Sequence, residues 1–314
     1  MSTRVPGIDP GRLAVWCEEQ LGSPPAGELF RSGHLSAVIG LRLADDREVV
    51  VKVRPHSRRL VACVQVQRWL FESGYQCPEP LSGPAPLEDS TATAEVYVPG
   101  GALLPGTDHA PLLFAEAFAR LIRLAPMPGE VPSLDPAPSW AAWNHSGAGL
   151  WPRPEDSDVD LNSVAGPEWI DRAGHCARDR LRTEASEAVI GHSDWLADNL
   201  RWRDDELLVV HDWDSAAADS EDVLVGFAAA LYSTVSPDTL ATVWETERFL
   251  DRYCDARGQV LSPDELQRSW AAGVWTRAFD AKSQHAAGQP VLSLTENEAR
   301  ERLRRAGIEL SSPR

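Results

Sequence analysis

Three oxygen-bearing side chains carry the most specific chemistry in this sequence. Asp194 and Asn199 lie within His192-Ser193-Asp194-Trp195-Leu196-Ala197-Asp198-Asn199, and Asp212 follows thirteen residues after Asn199. Magnesium prefers oxygen ligands and takes one or two carboxylates beside phosphate and water. Phosphoryl transfer needs such a metal site, a clamp for the phosphates and a group that orients the attacking hydroxyl. Residues 188–190 and 207–210 read as short strands, each leading into one of these motifs. A strand–loop–strand hairpin between Asn199 and Asp212 would bring both to the same end of a cleft and leave Asp194 facing an acceptor.

The phosphate clamp is sought among the basic residues, which are almost all arginine. Lys52 and Lys282 are the only lysines, and Lys52 stands inside the dense strand Val49-Val50-Val51-Lys52-Val53. A snorkelling strand residue is the plain reading of such a lysine; its rarity here favours phosphate binding. Ahead of it, Glu28 to Leu43 reads as a hairpin whose first half, with Ser32, Gly33, His34 and Ser36, is small and polar. Residues 5–22 and 60–73 have helical spacing, the latter stopping at Gly74, and residues 93–98 form a strand ending in Pro99-Gly100. Residues 111–124 and 168–187 are helical. Between them lies a proline-dense excursion carrying Trp140, Trp143 and Trp151, which are too apolar to stay solvated together. From residue 223 to 308 the chain is largely helical, with breaks at Ser236-Pro237, Ser262-Pro263 and Gly288-Gln289-Pro290.

In this order the elements resemble the aminoglycoside phosphotransferase and choline kinase group. The likeness rests on H-x-D-x-x-x-x-N, the downstream His211-Asp212-Trp213 after an apolar strand, and the upstream V-x-K strand, and it covers about residues 28–213. It implies an α+β, two-lobed protein-kinase-like fold. A small β-rich nucleotide-binding lobe would span residues 1–100, and a larger, mostly helical catalytic and substrate-binding lobe residues 101–314. It further implies ATP and Mg2+ as cofactors and a hydroxyl-bearing small molecule as acceptor. By the same resemblance Asp194 is the catalytic base, Asn199 and Asp212 hold the metal, and His192 is architectural. Lys52, Ser32, Gly33 and Ser36 would meet the phosphates, and Val96 and Val98 the adenine. Asp222 would steady the catalytic loop, and Asp214 would be a supporting or surface residue.

The sequence departs from that pattern in two places. Related enzymes carry a glutamate on the small-lobe helix that pairs with the strand lysine, whereas residues 60–73 offer Cys63, Gln65 and Gln67, with Gln65 as a neutral partner or a carboxylate from elsewhere. The motif loop also lacks glycine, and Ser193 stands where glycine is common, so its backbone must do without left-handed positions. These departures leave room for a catalytically weak, nucleotide-binding protein. A third reading takes His192-x-Asp194 and His211-Asp212-x-Asp214 as a dinuclear metal hydrolase, but it assigns nothing to Lys52 or Asn199.

Composition excludes several partners. A net charge of −17 and a pI near 4.9 oppose binding to nucleic acid, which needs basic surface. The longest apolar stretch, residues 223–232, is too short to span a bilayer, and the N-terminus shows no signal-peptide pattern. Five scattered cysteines without a C-x-x-C pair fit a reduced, cytoplasmic setting. The acidic balance suits a cationic acceptor such as an aminoglycoside or amino alcohol, for an enzyme acting as a monomer or homodimer. Glu187, Asp198, Asp219, Glu221 and Asp222 lie near the motif, and Trp195 is the tryptophan expected beside the acceptor.

Overall fold

The computed structural model describes residues 8–33, 36–183, 186–233 and 241–309. His34 and the break at Ser236-Pro237 fall outside them. The first helix, α1 (Pro10–Leu21), starts where Asp9 accepts the Arg12 N–H at 2.9 Å and stops at Gly22 in the left-handed region. A five-stranded antiparallel sheet follows, in the order β1 (Pro25–Ser32), β2 (Ala37–Leu43), β3 (Glu48–Arg54), β5 (Ser90–Val96), β4 (Ala85–Leu87). Helix α2 (Arg59–Glu72) connects β3 to β4.

Alternation along these strands builds two different surfaces. Ile39 and Leu41 of β2, Val49, Val51 and Val53 of β3, and Ala92 and Ala94 of β5 point to one face and form a core with Leu13, Trp16, Cys17 and Leu21 of α1. The opposite parity sets Val38 against Lys52, Val50 against Glu95 and Lys52 against Thr93. This second face looks toward the rest of the protein. Strand β3, valine-rich and central, is therefore buried on both sides while carrying a charge on one of them.

The second, larger core contains the rest of the chain. It is built on α3 (Ala110–Leu124), α4 (Glu168–Leu181), α5 (Glu221–Leu231), α6 (Val243–Arg257), α7 (Pro263–Ala286) and α8 (Glu296–Arg305). The apolar run around residues 223–232 is α5, buried on all sides against its neighbours, and among the described residues no helix is long and apolar enough to cross a membrane. Ser262-Pro263 opens α7 through a reciprocal cap with Glu265. Trp143 and Trp151 of the proline-dense excursion are buried; Trp151 packs on Trp275 and donates to Asp171 at 2.7 Å. The buried face of α2 (Ala62, Cys63, Val66 and Leu70) belongs to this larger core and not to the sheet's.

Two small ladders carry the motifs. Strands β6 (Ala188–His192) and β9 (Ala216–Ser220) pair antiparallel, and β7 (Leu200–Arg203) forms a tight hairpin with β8 (Glu206–Val210). Sequence periodicity predicts β6 and β8 but not β7, β9 or β4, which are short and interrupted by arginine, alanine or proline. The helix expected over residues 168–187 ends at Leu181.

Asp222 does not reach the catalytic loop. It is fully buried at the start of α5 and pairs with Arg268 of α7 at 2.6 Å, and Arg268 also donates to the carbonyls of Leu181 and Thr183. The pair fastens α5 to α7 and to the end of α4. Removing one member leaves a desolvated charge without its partner. Arg268→Ala is expected to lower unfolding free energy by about 3–5 kcal/mol, read from the urea midpoint of the purified protein; a shift too small to measure would show that water replaces the pair at no cost.

Candidate active site

The charged face of the sheet, the β7–β8 hairpin and the excursion after α3 enclose a cleft of about 1000 Å³. Lys52, Ser32, Gly33, Ser36, Val98, Asp194, Asn199 and Asp212 all line it. Val96 does not: it ends β5, and its N–H is bonded to the Glu79 carbonyl, so Tyr97 and Val98 form the lining after the strand. Gly33 is in a backbone region open to glycine (φ 130°), and a Cβ there would strike the Ser36 carbonyl at 1.8 Å. Gly40 serves a different purpose. Its missing side chain lets the Phe30 ring lie over the sheet, 5.5 Å from Tyr97, because a Cβ would meet that ring at 2.2 Å.

The hairpin places the motif residues. Leu200 pairs with Val210, and the His211 N–H reaches the Asn199 carbonyl at 2.8 Å, so Asn199 and Asp212 leave the same end of one ladder. Asn199 donates from Nδ2 to the Asp194 carboxylate at 3.0 Å and to its carbonyl at 2.9 Å, which leaves Oδ1 as its acceptor end. The loop's glycine-free sequence is accommodated without left-handed residues; among the described residues of the two motifs only Asp212 has positive φ (64°). Ser193 is buried, and both its N–H and its hydroxyl reach the Ser215 carbonyl at 2.9 Å, which ties the loop to the turn after Asp212. His192 is fully buried with its ring edge-on to Trp213 and Trp195, and its Nε2 lies 3.0 Å from the His211 carbonyl. Burial pushes its imidazole down to about 4, so it stays neutral. The dinuclear arrangement of His-x-Asp pairs is not assembled: His192 is sealed in the core, and among the described residues no group of three or more His, Cys, Asp or Glu could hold a metal ion.

Two residues of β3 face two aspartates. Lys52 Nζ stands 4.0 Å from Asp212 Oδ1, and Arg54, next on the same strand face, is in direct contact with Asp214. Burial opposes ionisation of Asp214, but Arg54, a hydrogen bond with Asp212 and Lys52 together hold its carboxyl well below the usual range. Burial and then the Asp214 charge push the Asp212 carboxyl well above it. The Asp212 carboxylate and the Asn199 Oδ1 are the oxygen donors here that could hold a divalent cation. Asp214 is thus a cleft residue with a fixed partner. Arg59, in the first turn of α2, closes the turn from behind by donating to the carbonyls of Asp214 (2.5 Å) and Ala216.

The partner of Lys52 comes from the sheet. Glu95 on β5 lies 3.1 Å from Lys52 through Oε1 and accepts from Gln67 Nε2 at 2.9 Å through Oε2. Gln65 is exposed on the far side of α2, because positions 60, 63 and 67 share the inward helical face. Burial lowers the lysine pKa, but Glu95 and then Asp212 outweigh it and leave Lys52 charged, above its ordinary value. A carboxylate inside an otherwise small and apolar strand, Thr91-Ala92-Thr93-Ala94-Glu95-Val96, was the available signal for this role.

Asp194 lies low in the cleft. Burial raises its carboxyl to about 7, less the pull of the Asn199 hydrogen bond and with added repulsion from Asp198, Asp214 and Glu155. Asp280 of α7 is likewise pushed up to about 7 by burial and by the charge on Asp194. Of the other carboxylates near the motif in sequence, only Asp198 lines the cleft. Asp219 accepts from Trp143, and Glu221 binds Arg257 and Tyr253. Trp195, expected beside the acceptor, is fully buried against Phe118, since its side chain alternates inward from the loop; Trp140 and Leu196 line the cleft instead.

Solved structures share this architecture at low identity. The chain superposes on amicoumacin kinase hAmiN in complex with AMP-PNP and Ca2+ with a TM-score of 0.60 at 12% identity, covering 91% of this chain and 88% of that one. A choline/ethanolamine kinase family protein from Mesorhizobium loti gives 0.54 at 15% identity, over 95% and 92% of the two chains. A thermostable mutant of aminoglycoside phosphotransferase APH(4)-Ia, in ternary complex with ADP and hygromycin B, gives 0.58 at 16% identity, over 94% and 96%. None of the curated proteins matches the sequence. The model of the phosphotransferase enzyme family matches residues 27–272. By sequence as well as by its two-lobed, protein-kinase-like fold, this chain belongs to the phosphotransferase enzyme family.

Proposed function

We propose that the protein transfers the γ-phosphoryl group of ATP to a hydroxyl of an aminated small molecule. The observation that carries this reading is the convergence of Asp194, Asn199 and Asp212 at one end of a cleft whose opposite wall presents Lys52. Nucleotide phosphates would lie against Lys52 and the backbone turn at Ser32, Gly33 and Ser36, with the base under Phe30 and beside Tyr97 and Val98. Asn199 and Asp212 would hold Mg2+, which supplies positive charge to the phosphates. Asp194 orients the acceptor hydroxyl and takes its proton as the new O–P bond forms and the bond from the γ-phosphorus to the ADP oxygen breaks. Positioning and charge stabilisation matter more than base strength in such a loose transition state.

The acidic side of the cleft supports an amine-bearing acceptor. Asp198 and Glu155 line the cleft with Asp194, and their charges add to the burial that raises its carboxyl. A cationic acceptor would relieve that repulsion. Structures with this fold include a ternary complex with ADP and hygromycin B and a choline/ethanolamine kinase family protein. A cytoplasmic setting is supported by the five free cysteines.

Mg2+-dependent ATP turnover against a panel of hydroxylated amines, amino alcohols and aminoglycosides tests the proposal. Asp212→Ala is expected to lower kcat by about 10²–10³-fold or more, and Lys52→Ala to act mainly by raising the KM for ATP. An Asp212→Ala enzyme with most of its rate would refute the assignment, and ATP binding without turnover on any acceptor would mark a nucleotide-binding protein instead.

The pH profile tests Asp194 separately. A base must be ionised to act, and its carboxyl is raised to about 7. The rate should therefore climb about tenfold per pH unit on the acid side and level off above neutrality. Asp198→Asn removes a like charge that raises Asp194 and should move that inflection to lower pH; an unmoved inflection would show that another group controls it.

A further inference from the structure

We infer that Glu95 is the positioning residue for Lys52, so that the charged partner of the nucleotide-binding lysine of this protein comes from the sheet and not from α2. The inference rests on the phosphate-binding role proposed above for Lys52. In protein kinases the corresponding lysine is paired by a glutamate on the small-lobe helix, so that placement of the helix controls the pair. Here β3 and β5 are hydrogen-bonded neighbours. Lys52 lies directly opposite Thr93 and diagonal to Glu95, on the same face. A long side chain reaches its diagonal neighbour within one ladder, and the ammonium group lies 3.1 Å from the carboxylate.

Glu95 is 5% exposed, and both its carboxylate oxygens are used: Oε1 by Lys52, Oε2 by Gln67. A buried carboxylate is tolerated only when paired in this way. The arrangement also keeps Lys52 from a competing partner. Asp212 Oδ1 is also within 4.0 Å of the ammonium group. Without Glu95 the lysine would close onto Asp212 and occupy with its own charge the position proposed for the metal.

The division of the two cores gives this placement its consequence. The inward face of α2 is packed into the larger core, and Arg59 and the segment after α2 are bonded to the carbonyls of Asp214 and Ala216 and to the Val210 N–H. The sheet that carries Lys52 has a separate core with α1. A glutamate on α2 would make the ion pair span the two bodies. A glutamate on β5 keeps it within one, and α2 meets that pair through the neutral Gln67 amide, which donates to Glu95 and to the Pro78 carbonyl at 2.9 Å each.

Calorimetric titration with Mg2+ and AMP-PNP tests this without any acceptor. Glu95→Gln preserves shape and removes the charge; it should weaken nucleotide binding about tenfold to a hundredfold. It should have little further effect in a Lys52→Ala background, because Glu95 acts through that lysine. The exchange Glu95→Gln with Gln67→Glu returns one carboxylate to the network from the helix, and should recover most of the lost affinity. Rescue by the exchange is a result that mere packing of Glu95 would not produce. Wild-type protein that binds nucleotide while Glu95→Gln binds it equally well would overturn the inference and leave the kinase reading intact. Equal losses from Glu95→Gln with and without Lys52 would also overturn it. Wild-type protein that binds no nucleotide would overturn both.

Discussion

The cleft depends on four charges that face one another across the junction between the sheet and the hairpin. Lys52 and Arg54 alternate onto the same face of β3, and Asp212 and Asp214 flank a single tryptophan in the turn after β8. None of the four is free in solvent, and each cation is within reach of an aspartate. Their roles then divide by partner. Arg54 and Asp214 satisfy each other and hold the turn against the sheet. Lys52 and Asp212 remain adjacent but unjoined, with Glu95 drawing the lysine back. Asp212 occupies a left-handed backbone position, which aspartate tolerates better than most residues. Trp213, buried beside His192, anchors the same turn from the core side.

This junction is also where the two hydrophobic cores meet. One is a sandwich of α1 on the outer face of the sheet; the other includes every helix from α2 onward. The polar groups of the cleft lie on the sheet's inner face and on the loops that look at it, because apolar packing with α1 has claimed the sheet's outer face. Helix α2 is the mediator: its apolar side belongs to the larger core, while Arg59 and Gln67 extend polar atoms to the turn and to Glu95. A cleft bounded by separately packed bodies can hold buried charges that neither core could accommodate by itself.

The strongly acidic composition has several structural uses. Asp222 with Arg268, Glu298 with Arg277 and Arg302, and Glu221 with Arg257 are internal or half-buried pairs that fasten helices of the larger core. Carboxylates that line the cleft with Asp194 come from distant parts of the chain: Asp198 of the motif loop, Glu155 of the excursion after α3, and Asp212 and Asp214 after β8. Arginine predominates as the partner because its fork can bond a carboxylate and several carbonyls at once, as Arg268 does.

Local patterns determined what depends on residue type and short spacing. The valine strand with its lysine, the helix stops, the α+β order and the Asp194–Asn199–Asp212 spacing are all legible because hydrophobic period, turn residues and motif distances are written within some twenty residues of chain. The hairpin that joins Asn199 to Asp212 was legible for the same reason. Tertiary structure decided the rest. Which α2 glutamine faces inward depends on how the helix is rotated against a core formed elsewhere, so Gln67 reaches Glu95 while Gln65, the neutral partner expected for Lys52, faces out. That Glu95 partners Lys52 follows from β3–β5 pairing across about forty residues, and that Trp195 is core while Trp140 lines the cleft follows from the path of the excursion. Chemistry borne by single residues can be read in order along the chain. The pairing of buried charges cannot, because it is set by which surfaces come together when the two cores exclude water.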